Sequence, residues 1–122
     1  MLENARHFQA GPDPWGRTWQ VDFLWLQTAI SIRHSDSVDV KFLLICGDVS
    51  VEKVIALRHP DLLALSRKTG RPLTDPWCMK LAALHLVRIV ETGEDFEKTL
   101  VTASPEELKT YNTILGNVAA GR

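Results

Sequence analysis

Residues 74–90, TDPWCMKLAALHLVRIV, carry the most strongly patterned run of apolar positions in the chain. At about 100° per residue, Lys80 and Arg88 fall within one narrow polar stripe, and apolar side chains occupy most of the remaining circumference. Asp75 followed by Pro76 is typical of a helix start, because the carboxylate can accept from free N–H groups of the first turn. The pattern predicts a helix that begins near Pro76 and is covered on most sides.

Residues 19–33, WQVDFLWLQTAISIR, are rich in aromatic and β-branched side chains, which favours a strand. Trp19, Phe23 and Trp25 alternate on one face, but the apolar side switches near Leu24. The switch predicts a bulge at this point. A helix with Trp19 and Phe23 on its apolar stripe is the alternative interpretation of the same run.

Two further strands are predicted after the turn at residues 34–37. Apolar and polar positions alternate over residues 38–45, and Gly47 with Asp48 suits a tight hairpin loop that leads into a strand over residues 49–57. Strands joined by such short turns pair antiparallel, so the first half of the chain predicts a three-stranded meander.

The second half of the chain has helical signals. His59 and Pro60 open a short helix, which Gly70 is placed to close, and Gly93 ends the central helix. Residues 94–101 are ambiguous between a helical turn and a short strand, KTLV.

The last helix has the clearest start signal. Ser104 and Glu107 form a predicted capping box, with Pro105 in the first helical position, and Gly116 is expected to stop the helix. The buried stripe of this helix is predicted to comprise Leu108, Tyr111 and Leu115.

These elements predict an α+β fold in which three helices pack on one face of an antiparallel three-stranded sheet, with a fourth helix if residues 94–101 are helical. A single domain over residues 1–122 is expected. Its predicted parts are an irregular arm (1–17), the meander (18–57), the helical part (58–116) and a tail (117–122).

Composition narrows the class of protein without identifying it. The 122 residues are 45% hydrophobic and 24% charged, and the net charge of −1 gives no overall field that would attract nucleic acid or membrane. No secretory signal or membrane span is apparent, so a cytoplasmic location is expected. Cys46 and Cys78 lie in apolar stretches, which predicts two reduced core thiols rather than a disulfide.

Apolar side chains on both faces of the predicted strands have a structural consequence. One layer of helices covers only one face of a sheet, so the other face must meet the N-terminal arm or a second protomer. The aromatic row of Trp19, Phe23 and Trp25 is the predicted interface, and the two sheet edges offer a second route to association. The sequence therefore favours a homo-oligomer, with a dimer preferred.

A candidate ligand site lies along the central helix. Asp75, Cys78 and His85 share one side of it, and His59 stands at the end of a strand. These residues could form a thiol–histidine pair or bind a ligand. The structural alternative is a capping aspartate, a small core cysteine and a buried histidine; about 10.5 Å of helix between Cys78 and His85 favours it. No zinc, calcium or phosphate-binding motif is present, so no metal or cofactor is predicted.

Charge is unevenly distributed along the chain. The middle segment is basic through Arg58, Arg67, Lys68 and Arg71, whereas the segment after the central helix is acidic. A basic patch could bind nucleic acid, but mutual neutralisation of the two segments within the fold is favoured.

Three functional hypotheses remain at this stage. The first is a non-enzymatic protein that self-associates or acts as an interaction module through an apolar sheet face. The second is a small-ligand or metal-binding protein, or an enzyme, with a pocket near the central helix. The third, and weakest, is nucleic-acid binding through the basic patch.

Overall fold

Five strands and three helices form the described part of the chain, residues 5–29 and 36–120 of this computed structural model. In chain order they are β1 (His7–Ala10), β2 (Trp19–Ala29), β3 (Ser37–Cys46), β4 (Val49–Arg58), α1 (His59–Thr69), α2 (Asp75–Thr92), β5 (Leu100–Thr102) and α3 (Pro105–Ala120).

The strands lie in one sheet in the order β1-β2-β3-β4-β5. The first four form an antiparallel meander, and the turn between β3 and β4 uses Gly47 at φ 59°. Strand β5 pairs parallel to β4, because α1 and α2 carry the chain back before β5 begins. The predicted α+β class is confirmed, and the sheet is wider than the three-stranded meander that the sequence predicted.

The two additional strands lie at the edges of the sheet. Strand β1 falls within the predicted irregular arm, and it pairs with β2 so that Phe8 stands opposite Val21. Strand β5 settles the ambiguous KTLV segment as a short strand at Leu100–Thr102. Both are short and lack a strong alternating pattern, which is why periodicity did not indicate them.

The predicted bulge near Leu24 is confirmed. Phe23 lies opposite Phe42, and Trp25 lies opposite Lys41, so the register shifts between Phe23 and Trp25. The extra residue turns Trp25 to the face of the sheet opposite to Phe23. The strand interpretation holds for Trp19–Ala29, whereas residues 30–33 and the first two residues of the predicted turn at 34–37 lie outside the described residues.

Side chains and glycines cap the helices much as their sequence signals indicate. Gly70 and Gly93 end α1 and α2 in the left-handed conformation. At the start of α3, Ser104 Oγ accepts from the backbone N–H of Glu107 at 3.1 Å, and Glu107 Oε1 accepts from that of Ser104 at 2.9 Å. The capping box is therefore confirmed.

Two helix boundaries differ from the prediction. The N-cap of α2 is Thr74, whose hydroxyl accepts from the N–H of Trp77 at 3.3 Å, and Asp75 is already helical. Helix α3 passes through Gly116 and continues to Ala120. Glycine lowers helix stability by about 1 kcal/mol without stopping the helix outright.

The helices cover one face of the sheet. Helix α2 contacts β1, β3 and β4, α1 lies against β4, and α3 packs on α1 and α2. Every second residue of β3 is buried beneath this layer: Val38, Val40, Phe42 and Leu44. The alternate residues of β3 are only partly buried, so the structure has a core face and a second face that we call the open face.

Candidate functional site

The four residues of the predicted ligand site do not come together. His59 begins α1, and Asp75 is exposed at the start of α2. Cys78 is buried, and burial together with the charge of Asp75 raises its thiol pKa to about 11. His85 is 3% exposed, two turns further along α2. Within this set Asp75 acts electrostatically on Cys78, whereas His85 contacts α3 instead.

A cavity of about 210 Å³ does open beside the first turn of α2. Its lining is Arg71, Pro72, Thr74, Pro76, Trp77 and Lys80. Neither Cys78 nor His85 lines it, because both side chains point into the protein interior.

His85 belongs instead to a buried polar cluster between α2 and α3. Its Nδ1 atom lies 2.7 Å from the hydroxyl of Tyr111 and 3.7 Å from Oε2 of Glu107. The same carboxylate oxygen lies 3.3 Å from Nε of Arg88. Glu107 thus faces α2 with one oxygen while its other oxygen caps α3.

Burial sets the electrostatics of this cluster. It lowers the pKa of His85, with Arg88 acting in the same direction and Glu107 against it. It raises the pKa of Tyr111, which the charge of Glu107 also favours. For Glu107, hydrogen bonds from Ser104 outweigh burial, so its carboxyl pKa is lowered. The imidazole is therefore neutral and the carboxylate charged near pH 7.

The cluster joins two helices, with His85 and Tyr111 buried, Glu107 partly buried and Arg88 exposed at its edge. His85 Nε2 has no hydrogen-bond partner among the described residues. The sequence pattern treated Glu107 and Tyr111 separately, as a cap and as a core position. Their spacing of four residues on α3, beside the three-residue spacing of His85 and Arg88 on α2, is the signal that could have indicated one polar contact between the helices.

The open face of the sheet carries a row of side chains that crosses four strands. Trp25, Lys41, Val54 and Leu100 lie opposite one another on adjacent strands. Leu43 and Ile45 continue the apolar surface along β3, and Leu100 at the β5 edge is 57% exposed. On β3 and β4, these side chains alternate with the buried ones that lie beneath the helices.

Polar and charged side chains surround these apolar residues. Lys41 Nζ lies 2.7 Å from Oε1 of Glu52 and 5.7 Å from the ring centre of Trp25. Nearer β1, His7 Nδ1 lies 2.5 Å from Oδ1 of Asp22. The open face therefore combines an apolar centre with charges of both signs, a composition common in protein interfaces.

Of the predicted interface residues, only Trp25 lies on the open face. Trp19 is 1% exposed, and its Nε1 donates to Oδ2 of Asp13 at 3.1 Å. Phe23 packs on the core face, with its ring centre 6.3 Å from that of Phe42. The prediction of one aromatic row is wrong because the bulge at Leu24 separates its members.

Comparisons with protein-family models, with curated proteins and with solved structures found no match. Within residues 5–29 and 36–120, no helix is both long enough and apolar enough to cross a membrane. The same residues contain no group of three or more histidine, cysteine or acidic side chains placed to hold a metal ion.

Proposed function

We propose that this chain is a non-enzymatic protein that forms a homodimer by pairing the open faces of two copies. The observation that carries the proposal is the row of Trp25, Val54 and Leu100, with Leu43 and Ile45 beside it, on a sheet face that the helices leave uncovered. Apolar side chains grouped on an uncovered sheet face are typical of an interaction site, and Lys41 lies between Trp25 and Val54 in this row.

The size of the open face suits a second copy of the chain. At about 3.3 Å per residue and about 4.8 Å between strands, the three long and two short strands span roughly 600 Å². This value approaches the roughly 800 Å² that each partner buries in a standard interface. Two twisted sheets pack face to face about 10 Å apart, which is the geometry of a β-sandwich core.

The charges on the open face are compatible with self-pairing. A two-fold axis brings the same patch of each protomer together, so the patch must be complementary to itself. Lys41 and Glu52 lie side by side on this face, so a two-fold axis that passes between them would set Lys41 of each copy opposite Glu52 of the other. Trp25, partly exposed and held by Lys41, is positioned to be the central apolar contact.

The test replaces one apolar residue of the open face by a charge that the monomer tolerates. Leu43 lies directly between Asp22 and Glu52 on the neighbouring strands. A lysine at this position gains favourable cross-strand pairs, so Leu43→Lys should fold while its open face loses the apolar centre.

Light scattering during size-exclusion chromatography measures the molar mass of each variant in solution. We expect the unmodified chain at twice its 13.7 kDa mass and Leu43→Lys at 13.7 kDa. The matched control is Val49→Lys, which places the same charge at an exposed apolar position at the start of β4, beside the hairpin turn. A monomeric unmodified chain, or two variants with equal association, would contradict the proposal.

A further inference from the structure

The loop between β1 and β2 is organised by one buried carboxylate. Asp13 Oδ1 accepts from the backbone N–H groups of Trp15 at 3.0 Å and Arg17 at 2.8 Å. Its Oδ2 accepts from Arg17 Nε at 2.8 Å and from Trp19 Nε1 at 3.1 Å. Burial alone would raise the pKa of Asp13, but these hydrogen bonds lower it to about 2. The loop is therefore built around a permanent negative charge at neutral pH.

This framework presents Trp15 to solvent. The indole of Trp15 is 67% exposed, the largest exposed fraction among the big apolar side chains of the described residues. The Arg17 guanidinium lies 5.5 Å from the ring centre of Trp15 and 5.1 Å from that of Trp19. Folding gains little from an exposed indole, whereas a rigidly held tryptophan is a typical anchor in protein interfaces.

The loop that follows α2 lies against Pro14 and Trp15, and it is also firmly held. A Cβ atom at Gly93 would lie 2.9 Å from Cγ of Pro14 and 3.7 Å from Cη2 of Trp15. From the sheet, Lys53 Nζ donates to the carbonyls of Phe96 and Lys98 and lies 4.6 Å from the ring centre of Phe96. Trp15 therefore sits next to a fixed segment of the chain.

The neighbouring segment, at the carboxyl end of α2 and in the loop after it, is acidic, although acidic side chains are unfavourable at that end of a helix. Glu91, Glu94 and Glu97 are exposed, and none lies within ion-pair distance of a basic side chain among the described residues; the charge of Glu97 acts on the buried Lys53 from further away. The carboxyl end of a helix carries partial negative charge, so basic side chains stabilise it and acidic ones do not. The last turn of α2 contains no basic residue. A cationic partner would compensate this arrangement.

We propose that Trp15 and the acidic segment beside it form a docking surface for an arginine- or lysine-bearing segment of a partner protein. The carboxylates of Glu94 and Glu97 attract the cationic side chains, and one of those side chains packs against the exposed part of the Trp15 indole that Arg17 leaves uncovered. This surface is separate from the open face, so it does not depend on dimer formation.

The test is a titration of the ¹⁵N-labelled chain with a hexa-arginine peptide at physiological salt. The chain has four tryptophans, and single tryptophan variants assign their indole N–H signals in the spectrum. We expect saturable shifts of the Trp15 indole and of amides in residues 91–97, and no shifts with a hexa-glutamate peptide. Absence of a saturable shift, or shifts centred on another part of the chain, would overturn the proposal.

Variants separate this surface from general charge attraction. Trp15→Ala keeps the backbone N–H that Asp13 accepts, so it should fold and bind the peptide roughly tenfold more weakly. Glu94→Gln with Glu97→Gln should weaken binding and reduce its salt dependence. Glu106→Gln, which removes an exposed carboxylate in the first turn of α3, should bind like the unmodified chain. Equal binding by Trp15→Ala would show attraction to charge alone and would overturn the proposal.

One further outcome concerns a second copy of the chain. Arg67, Lys68 and Arg71 lie around the last turn of α1, beside the opposite end of α2. The chain could associate with itself in a salt-sensitive way that Trp15→Ala abolishes and Leu43→Lys leaves intact. That result would mean that the basic region of a second copy binds the Trp15 surface, and it would overturn the assignment of a separate partner.

Discussion

The Nδ1 atom of His85 and the hydroxyl oxygen of Tyr111 lie 2.7 Å apart in the interior, where they join α2 to α3. His85 Nε2 has no hydrogen-bond partner among the described residues, so Nδ1 makes the close contact of this imidazole. Tyr111→Phe removes that partner and keeps the ring. We expect the free energy of unfolding to fall by about 1–3 kcal/mol, the cost of an unsatisfied buried polar group, measured by urea denaturation.

A double variant provides the control for this prediction. His85→Phe with Tyr111→Phe removes both polar groups and retains aromatic side chains, so its loss of stability should be smaller than the sum of the two single losses. Additive losses would show that the two side chains do not interact.

The same cluster predicts a pH dependence of stability. Burial lowers the pKa of His85 in the folded chain from its ordinary 6.5, so below pH 6.5 the unfolded chain binds more protons and stability falls. The loss is up to about 1.4 kcal/mol per pH unit while the folded imidazole stays neutral. The lowered pKa of Glu107 adds a further loss below its ordinary 4.5.

Urea denaturation between pH 7.5 and 5.5 measures this dependence. The groups that face His85 are Tyr111 and Glu107 on α3, Arg88 on α2, and Glu94 and Asp95 in the following loop. We expect the decline to be weaker in His85→Phe with Tyr111→Phe. Stability that rises on acidification over this range would mean that the imidazolium is stabilised in the fold, contrary to our account.

The two thiols should differ in reactivity. Cys78 is buried with its pKa raised to about 11, whereas Cys46 is partly exposed at the end of β3. A thiol reagent at pH 8 should modify one cysteine rapidly in the folded chain and both in denaturant, because the thiolate is the reactive form. Rapid modification of Cys78 in the folded chain would instead support a reactive site on α2.

Local signals in the sequence predicted much of the fold. The capping box of Ser104 and Glu107 satisfies free N–H groups within a single turn, so it is recognisable without tertiary information. The bulge near Leu24 was visible as a change in the alternation of apolar residues. Such features depend on neighbours a few positions apart.

Features that depend on distant contacts were not predictable. Strand β1 exists because it pairs with β2, and β5 exists because it pairs with β4. Lys53 is buried on the core face because carbonyl groups from the loop after α2 accept hydrogen bonds from its ammonium group, which no local pattern indicates. The sequence predicted an uncovered sheet face, but the aromatic row assigned to it included Trp19 and Phe23, because side-chain direction beyond the bulge depends on the pairing of Trp25 with Lys41.

The central claim is that two open faces bury each other, and hydroxyl-radical footprinting with mass spectrometry tests it directly. Trp25 lies on the open face, whereas Trp15 is exposed elsewhere and serves as an internal control. Cleavage after Arg17 separates the two residues into different peptides. As protein concentration rises through the association range, we expect oxidation of Trp25 to fall while oxidation of Trp15 stays constant. Oxidation of Trp25 that is independent of concentration, in a chain that has become dimeric, would contradict the account.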